Sequence, residues 1–227
     1  MLKDAKLVDL SRRLEENMPT APSHPHYFHC LWNAKELGES SKSYLMSLHE
    51  HCGTHVDATS HFFSDNRARA IDDYPLSDFM APCCVIQCVI PSGESFITRA
   101  HIEAWEQVNG LIHPGEAVLF YTGWARYWGL RPDNGDYLKD WPGLSYDAAA
   151  YLVEKGCGMV GTDAFSIDAF TSADFPAHNT LLGAGLLILE CLKELDNLPP
   201  HCYLLALPLA IKDGSASPVR AVAVCGE

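Results

Sequence analysis

Basic residues are scarce in this chain. Sixteen Lys and Arg stand against 29 Asp and Glu, which gives a formal net charge of −13 at pH 7 with neutral His. Nucleic acids and anionic membrane surfaces bind basic patches, so we expect neither as a partner. The sequence also lacks an apolar run of the roughly 18 residues that a membrane span needs, an internal repeat, a low-complexity segment and a linker. Its 48% hydrophobic content is typical of one globular domain, here residues 1–227.

The sequence has no CxxC pair among its nine cysteines. That absence, the odd count and the lack of a signal-peptide pattern argue against a disulfide-stapled secreted protein and against a thiol–disulfide oxidoreductase. We expect mostly buried free thiols in a reducing cytoplasm. Cys52 is the exception, because it lies among histidines. It is either a small filler residue or a thiolate ligand.

Short apolar segments alternate with amphipathic ones along the chain, which favours a single-domain α/β or α+β fold. Strands are predicted over 5–10, 43–50, 83–90, 117–121, 157–163, 186–190, 203–211 and 219–224. Helices are predicted over 97–107 and 145–155, with Thr98 and Ser145 as N-caps, and a short helical turn over 178–182. Segments 17–25, 128–142 and 213–218 are predicted loops.

The segment from His51 to His61 reads HCGTHVDATSH and concentrates three histidines and one aspartate. Imidazole and carboxylate are the groups that divalent transition metals take from proteins, so the segment predicts a metal site. The helical zinc motif His-Glu-x-x-His does not apply, because no Glu follows His51 and Gly53 disfavours a helix. In an extended chain His55 and Asp57 face the same side. A bend at Gly53 would bring His51 to them.

Three further side chains extend this site. His61 is either a fourth ligand or an unligated acid/base, since its ordinary pKa suits proton transfer near neutrality. His178 and Glu190 are candidates for a second ion. Glu190 follows an apolar run, an unfavourable place for a carboxylate unless it is paired or bound to metal. A turn at 183–185 would return Glu190 to the side of His178.

Aromatic residues near these histidines are candidate walls for a small aromatic substrate, with ordinary core packing as the alternative. They are Tyr27, Phe28, Trp32 and Phe63. His24, His26 and His29 are interleaved with them. As metal ligands these three are weak candidates, and solvent-facing or pocket-lining positions suit them better.

Positions 51–61 match the pattern His-x-Gly-Thr-His-x-Asp-x-Pro-x-His, except that Thr59 replaces Pro. In this pattern the chain resembles the metal-dependent cyclase family, which includes bacterial kynurenine formamidase and isatin hydrolase. Further similar segments follow in the family's order: DLS at 9–11, GEAVLFYTGW at 115–124, VGTDAFSID at 160–168, AHNTLL at 177–182, LLILE at 186–190 and SPVRAVAV at 217–224. The resemblance covers most of the chain.

The resemblance implies a swivelling β/β/α domain in a homodimer or homotetramer, with one or two divalent ions. Zinc, manganese or iron suits mixed His and carboxylate ligands, and zinc or manganese is expected here. The resemblance implies that His51, His55 and Asp57 bind a first ion. It also implies that Asp57, His178 and Glu190 bind a second, and that His61 is the catalytic proton donor and acceptor.

Two departures from the family pattern bear on the substrate. Segment 19–25 contains no Trp, although the formamidase branch is expected to contact its substrate through a Trp in this loop. Thr59 in place of Pro is expected to loosen the metal loop.

The sequence therefore predicts a metal-dependent hydrolase of an amide, lactam or ester bond in a small aromatic substrate, using metal-bound hydroxide and His61 as acid/base. We expect no partner beyond this small molecule and further copies of the chain. Two alternatives stay open. A dehydratase or cyclase of the same family would stabilise an enolate with the same ions, and the mass of the product separates it from a hydrolase. A non-catalytic metal-binding protein would have a closed four-ligand site.

Overall fold

The computed structural model describes residues 5–90 and 95–226, so residues 1–4, 91–94 and 227 of the predicted domain lie outside the described residues. Within those ranges it contains strands β1 (Lys6–Asp9), β2 (Phe28–Asn33), β3 (Ser43–Ser47), β4 (His55–Asp57), β5 (Met80–Gln87), β6 (Phe96–Ile97), β7 (Ala117–Tyr121), β8 (Gly143–Leu144), β9 (Met159–Thr162), β10 (Leu187–Glu190), β11 (His201–Leu205), β12 (Ala216–Pro218) and β13 (Val222–Cys225). The α-helices are α1 (Arg99–Asn109), α2 (Tyr146–Glu154) and α3 (Pro176–Gly183). Short 3-10 helices cover Lys35–Leu37, Thr59–His61, Ile71–Asp73, Leu76–Phe79, Trp124–Tyr127 and Leu195–Asn197.

Nine strands form one mixed sheet in the order β1–β13–β11–β5–β7–β9–β10–β4–β12. The central strands β5, β7, β9 and β10 are parallel. They are apolar runs, as expected of parallel strands that are covered on both faces. The strands on either side pair antiparallel. The sheet therefore joins the first described strand of the chain to the last, with Lys6 opposite Cys225.

The two faces of the sheet are covered differently. On one face, Val118 packs with Ile102 of α1 and Leu152 of α2 in a core that also includes α3. The next strand residue, Leu119, points to a second core, which is closed by loops and the curl of the sheet. The predicted α/β class is confirmed, with the helices on one side. No helix among the described residues is long and apolar enough to cross a bilayer.

Most predicted elements are present with shifted ends. The predicted helices correspond to α1 and α2, and Thr98 and Ser145 are their N-cap residues. The strand predicted over 203–211, with a break expected at Pro208, ends already at Leu205, and Pro208 has no N–H for a ladder. The loop predicted over 213–218 ends in β12, which lies at the sheet edge where Pro218 is tolerated.

Strands β2 and β3 form a separate antiparallel pair, which we call the arm (residues 28–47). Leu45 and Met46 are regularly paired neighbours in β3 and so point to opposite faces, yet they are 50% and 58% exposed. Leu31 and Trp32 of β2 are 44% and 69% exposed. Tyr44, Leu45 and Met46 of β3 are also exposed. The arm therefore presents apolar side chains on both faces within the described chain.

Gly143 of β8 packs directly on segment 167–169. A Cβ atom at this position would overlap the backbone nitrogen of Ala169 and the carbonyl carbon of Asp168. Rotating a side chain cannot relieve an overlap with backbone. The segment is also fixed by the Leu144 N–H, which donates to the Ile167 carbonyl at 2.8 Å. The missing side chain of Gly143 thus sets the position of Asp168.

We expect Gly143→Ala to lower the free energy of unfolding by about 1–3 kcal/mol or more, because the added methyl overpacks rigid backbone. Urea unfolding followed by circular dichroism measures the change. Gly135→Ala is the matched control, because its Cβ would have no heavy atom within 4 Å, and its effect should stay within about 0.5 kcal/mol. Equal stabilities of the two variants would contradict the assignment of Gly143 as a packing constraint.

Candidate metal centre

Strand β4 carries two of the predicted ligands. His55 and Asp57 are two residues apart on this buried strand, so their side chains share a face, as predicted. β4 pairs antiparallel with β10, which places His55 opposite Glu190. His55 Nε2 lies 3.4 Å from Glu190 Oε2. The sheet thus joins ligand candidates from distant parts of the chain.

The predicted bend at Gly53 is present. Gly53 has φ 62°, a left-handed conformation that favours glycine. The bend returns the chain so that His51 Nδ1 lies 2.8 Å from Asp57 Oδ1. It also turns the Gly53 carbonyl toward His55, whose Nδ1–H donates to it at 2.9 Å.

His178 reaches the same point from α3. Asp168 accepts the backbone N–H groups of Ala177 and His178 at 2.7 Å and 3.1 Å, in the first turn of this helix. The same carboxylate accepts the His178 Nδ1–H at 2.6 Å. Nε2 of His178 then lies 3.4 Å from Glu190 Oε1. The predicted return of the chain after α3 is present, and Gly185 in its turn has φ 88°.

Asp57 lies at the centre of this cluster. It is fully buried, and neither of its carboxylate oxygens accepts a hydrogen bond within the described residues. Three imidazole nitrogens approach these oxygens: His51 Nδ1 at 2.8 Å, His55 Nε2 at 3.5 Å and His178 Nε2 at 3.6 Å. A buried carboxylate without hydrogen bonds is strongly unfavourable. Nitrogen and oxygen lone pairs that converge in this way fit a bound cation.

The remaining ring nitrogens of these histidines are held by other groups. Those of His55 and His178 donate to the Gly53 carbonyl and to Asp168, so Nε2 is the nitrogen of each ring that is left to bind a cation. His51 Nε2 lies 3.3 Å from the hydroxyl of Ser215. Metal-binding histidines are oriented in this way by polar partners behind them.

The electrostatics of the cluster also call for a cation. Burial lowers the pKa of His55, but the carboxylates of Asp57 and Glu190 outweigh it and raise that pKa to about 9. Burial also lowers the pKa of His178, but the carboxylates of Asp168, Asp57 and Glu190 outweigh it and raise that pKa to about 10. Burial raises the pKa of Asp57, but His51 and His55 outweigh it and hold that pKa well below its ordinary value. The carboxylates thus favour positive charge here, and a divalent ion supplies it.

His61 ends a 3-10 helix beside this centre. Its ring centroid lies 4.0 Å from that of His51 and 6.0 Å from that of His178. Burial lowers the pKa of His61, Asp57 opposes this, and His51 and His178 add to it, so that the pKa is about 3. The imidazole is therefore neutral near pH 7.

The ligand atoms fall into two groups that share Asp57. One contains His51, Asp57 and His61, and the other contains His55, Asp57 and Glu190, with the atoms of each group within 4.8 Å of one another. In the predicted sets, His55 belonged with His51 and His61 was not a ligand. The structure gathers every predicted ligand, and their chemistry and convergence fit one or two divalent ions.

Thr59 does not loosen this loop as expected. Its side chain is buried, and its hydroxyl donates to the Arg67 carbonyl at 2.7 Å. Its backbone N–H donates to the hydroxyl of Tyr74 at 3.4 Å. Proline has no N–H and could not make the second bond. Thr59 thus ties the loop by hydrogen bonds.

A cavity of about 470 Å³ opens above the cluster. His51, His55, His61, His178 and Glu190 lie at its base. Its wall is aromatic and is formed by Phe62, Trp141, Phe165, Phe170 and Phe175. The remaining lining residues are Ala21, Ser23, His24, Ser166, Asp168, Ala169 and Ser172.

The four predicted wall residues do not line this cavity. Tyr27 is buried with Met18 and Cys52 in a separate apolar cluster. Phe28 and Trp32 lie exposed on the arm. Phe63 packs beneath the guanidinium of Arg67, which lies 3.8 Å from its ring centroid. These four aromatic residues thus belong to packed clusters or to the arm.

Cys52 occupies the same apolar cluster, next to Met18 and Tyr27. Burial raises the pKa of its thiol to about 11, which keeps it protonated. The structure therefore supports the filler interpretation of Cys52.

Sequence reasoning missed Asp168 and the aromatic wall. Asp168 follows the buried strand β9, a position where a carboxylate often serves a site, and that was the available signal. No such signal marked Trp141, Phe170 or Phe175, because only the folded loops bring them to the cavity.

A family model described as "Putative cyclase" matches residues 8–169 of this chain. The kynurenine formamidase of Salinibacter ruber is 36% identical over 223 residues, which cover 95% of this chain and 96% of that protein. The chain belongs to the cyclase family. The kynurenine formamidase of Geobacillus thermodenitrificans is 32% identical over 216 residues, covering 94% and 95% of the two chains.

Solved structures of the cyclase family have the same fold. Isatin hydrolase A from Labrenzia aggregata, bound to benzyl benzoate, superposes with a TM-score of 0.88 at 31% identity. The match covers 98% of this chain and 94% of that one. The predicted cyclase-type α/β fold is therefore confirmed.

We expect Asp168→Asn to weaken binding of zinc and of manganese by about 10–100-fold, because His178 loses the carboxylate that orients its ring. Calorimetric titration of the metal-free protein measures this affinity. Asp174→Asn, in the same loop but exposed, is the matched control and should bind as the parent does. An unchanged metal affinity of Asp168→Asn would show that Asp168 caps the first turn of α3 without orienting His178 for metal binding.

Proposed function

We propose that this chain is a metal-dependent hydrolase of an amide, lactam or ester bond in a small aromatic substrate. The observation that carries the proposal is the buried His and carboxylate cluster at the base of a cavity with an aromatic wall. Relatives named kynurenine formamidase and a structural neighbour named isatin hydrolase support it. The substrate is a small molecule, since the cavity of about 470 Å³ accommodates one.

The proposed ligands are His51, His55, Asp57, His178 and Glu190. Zinc or manganese suits this set, because both accept mixed imidazole and carboxylate ligands. A bound ion supplies Lewis-acid activation of the scissile carbonyl and of water. Behind the ligands, Asp168, Ser215 and the Gly53 carbonyl fix the orientation of the imidazoles. The protein groups thus need little rearrangement when the substrate binds.

His61 is the proposed acid/base. It lies at the cavity base beside His51 and is held neutral by burial. A neutral imidazole takes a proton from water and then delivers it to the leaving nitrogen or oxygen. The phenyl and indole groups of the wall hold the aromatic ring of the substrate and exclude bulk water from this step.

We expect His61→Ala to reduce kcat for hydrolysis of an aromatic formamide by about 10²–10⁴-fold while metal content is retained. Turnover and elemental analysis on the same zinc- or manganese-loaded preparations measure this, with the product mass showing the addition of one water. His113→Ala is the control, because His113 is exposed and lies outside the cavity lining. Undiminished turnover of metal-loaded His61→Ala would show that His61 does not act as the acid/base.

The chain is proposed to act as one domain, residues 1–227, in the cytoplasm. The nine-stranded sheet, which pairs β1 with β13, supports the single domain. All nine cysteines are free, which supports a reducing compartment.

A homodimer or homotetramer is proposed, with the arm as the contact between copies. An isolated two-stranded hairpin is marginally stable in water. The arm carries exposed apolar side chains on both faces, such as Leu31, Trp32 and Leu45. Large exposed apolar surfaces of this kind mark protein interfaces.

We expect Trp32→Asp to shift the protein toward the monomer, because it places a charge in the proposed contact. Light scattering after size-exclusion chromatography measures the mass. Val108→Asp is the matched control, since Val108 is 82% exposed on α1, away from the arm. An unchanged mass for Trp32→Asp, or a monomeric parent protein, would contradict this arrangement.

A further inference from the structure

The cavity above the candidate centre has no Lys or Arg among its lining residues, within the part of the chain that the structure describes. Among the described lining residues, the groups that can carry positive charge are histidines at or beside the candidate metal centre. The aromatic wall extends to the protein surface, where Phe170 and Phe175 are 46% and 53% exposed. A substituent that leaves the cavity on this side passes across phenyl groups, while Ser23, His24, Ser166 and Ser172 line other parts of the cavity.

The charges next to this wall are acidic or already paired. Asp140 and Asp174 are exposed and directly precede Trp141 and Phe175. The nearest cation along the chain, Lys139, lies 2.9 Å from the carboxylate of Asp136. At the other side of the wall, Arg67 pairs with Asp65 at 2.6 Å.

This arrangement disfavours a carboxylate on the substrate. A carboxylate that loses water against an aromatic wall needs a cation or several hydrogen-bond donors in exchange. The described lining residues include no Lys or Arg to supply that cation. A carboxylate formed at the scissile carbonyl is different, because it lies at the metal cluster.

We infer that the cavity selects aromatic amides or lactams whose ring substituents bear no carboxylate. This inference rests on the proposed function. It separates the chain from relatives named after kynurenine, an amino acid, although they are 36% and 32% identical to it. Neutral and amine-bearing substrates remain acceptable, because a neutral group needs no ion partner and an ammonium group is attracted by aromatic faces.

The test uses three ortho-acyl formanilides that share the ring and the scissile formamide. Their acyl side chains end in methyl (2-formamidoacetophenone), in an aminoethyl group, or in the zwitterionic α-amino acid of N-formylkynurenine. With zinc- or manganese-loaded protein, we expect kcat/KM for the first two to exceed that for N-formylkynurenine by at least about tenfold, since a desolvated group without a partner discriminates strongly. Equal or faster turnover of N-formylkynurenine would overturn the inference.

A second experiment adds the missing cation. Ser23 is exposed and lines the cavity, so Ser23→Arg places a guanidinium at the wall with little disturbance of the core. We expect it to raise the ratio of kcat/KM for N-formylkynurenine to that for 2-formamidoacetophenone by about tenfold or more. Ser23→Gln is the matched neutral control and should leave the ratio unchanged. An equal rise in both variants would contradict a charge-based selection.

Equilibrium binding separates this inference from the proposed function. The amine products 2-aminoacetophenone and kynurenine are titrated against the metal-loaded protein, with tryptophan fluorescence as the readout. If none of the three formamides is hydrolysed and 2-aminoacetophenone still binds at least about tenfold more tightly, the selectivity stands and the proposed reaction fails. If kynurenine binds as tightly, the selectivity fails whatever the turnover.

Discussion

The buried carboxylate of Asp57 is the constraint on which the rest of the site depends. It lies in the sheet without a hydrogen bond from any described residue, and three imidazoles converge on it. Such a charge is tolerable inside a protein only when a cation neutralises it. The surrounding groups serve that requirement, because Gly53, Asp168 and Ser215 orient the histidines from behind. The cavity, the aromatic wall and the neutral His61 are arranged around the same point.

The sheet explains how one point collects these groups. β4 inserts antiparallel between β10 and the short edge strand β12, so His55 and Glu190 become direct neighbours. α3 packs on the face of the sheet that the helices cover, and its first turn delivers His178. Close packing at Gly143 then fixes Asp168 behind that histidine. Strand pairing, helix capping and one missing side chain thus combine to orient a single imidazole.

The convergence of the proposed ligands could be predicted in part from the sequence, because the spacing of His51, His55 and Asp57 is local. His55 and Asp57 share a face by strand periodicity, and Gly53 marks the bend that brings in His51. Glu190 was recognisable as a carboxylate after an apolar run. The aromatic wall was not predictable, because Trp141 and Phe175 carry no local signal and aromatic residues also fill cores. Tyr27 shows this ambiguity, since it packs with Met18 instead of lining the cavity. The β2 and β12 strands were missed because edge and arm strands lack the apolar runs of the sheet centre.

The pairing of β4 with β10 has a consequence for synthesis of the protein. The ribosome releases His51, His55 and Asp57 well before the segment with His178 and Glu190 emerges, because chains grow by about 5–20 residues per second. During that interval the early ligands lack half of their partners and the strand that holds them in place. A nascent chain therefore exposes a histidine-rich segment early, and the full set of proposed ligands comes together only when β10 joins the sheet.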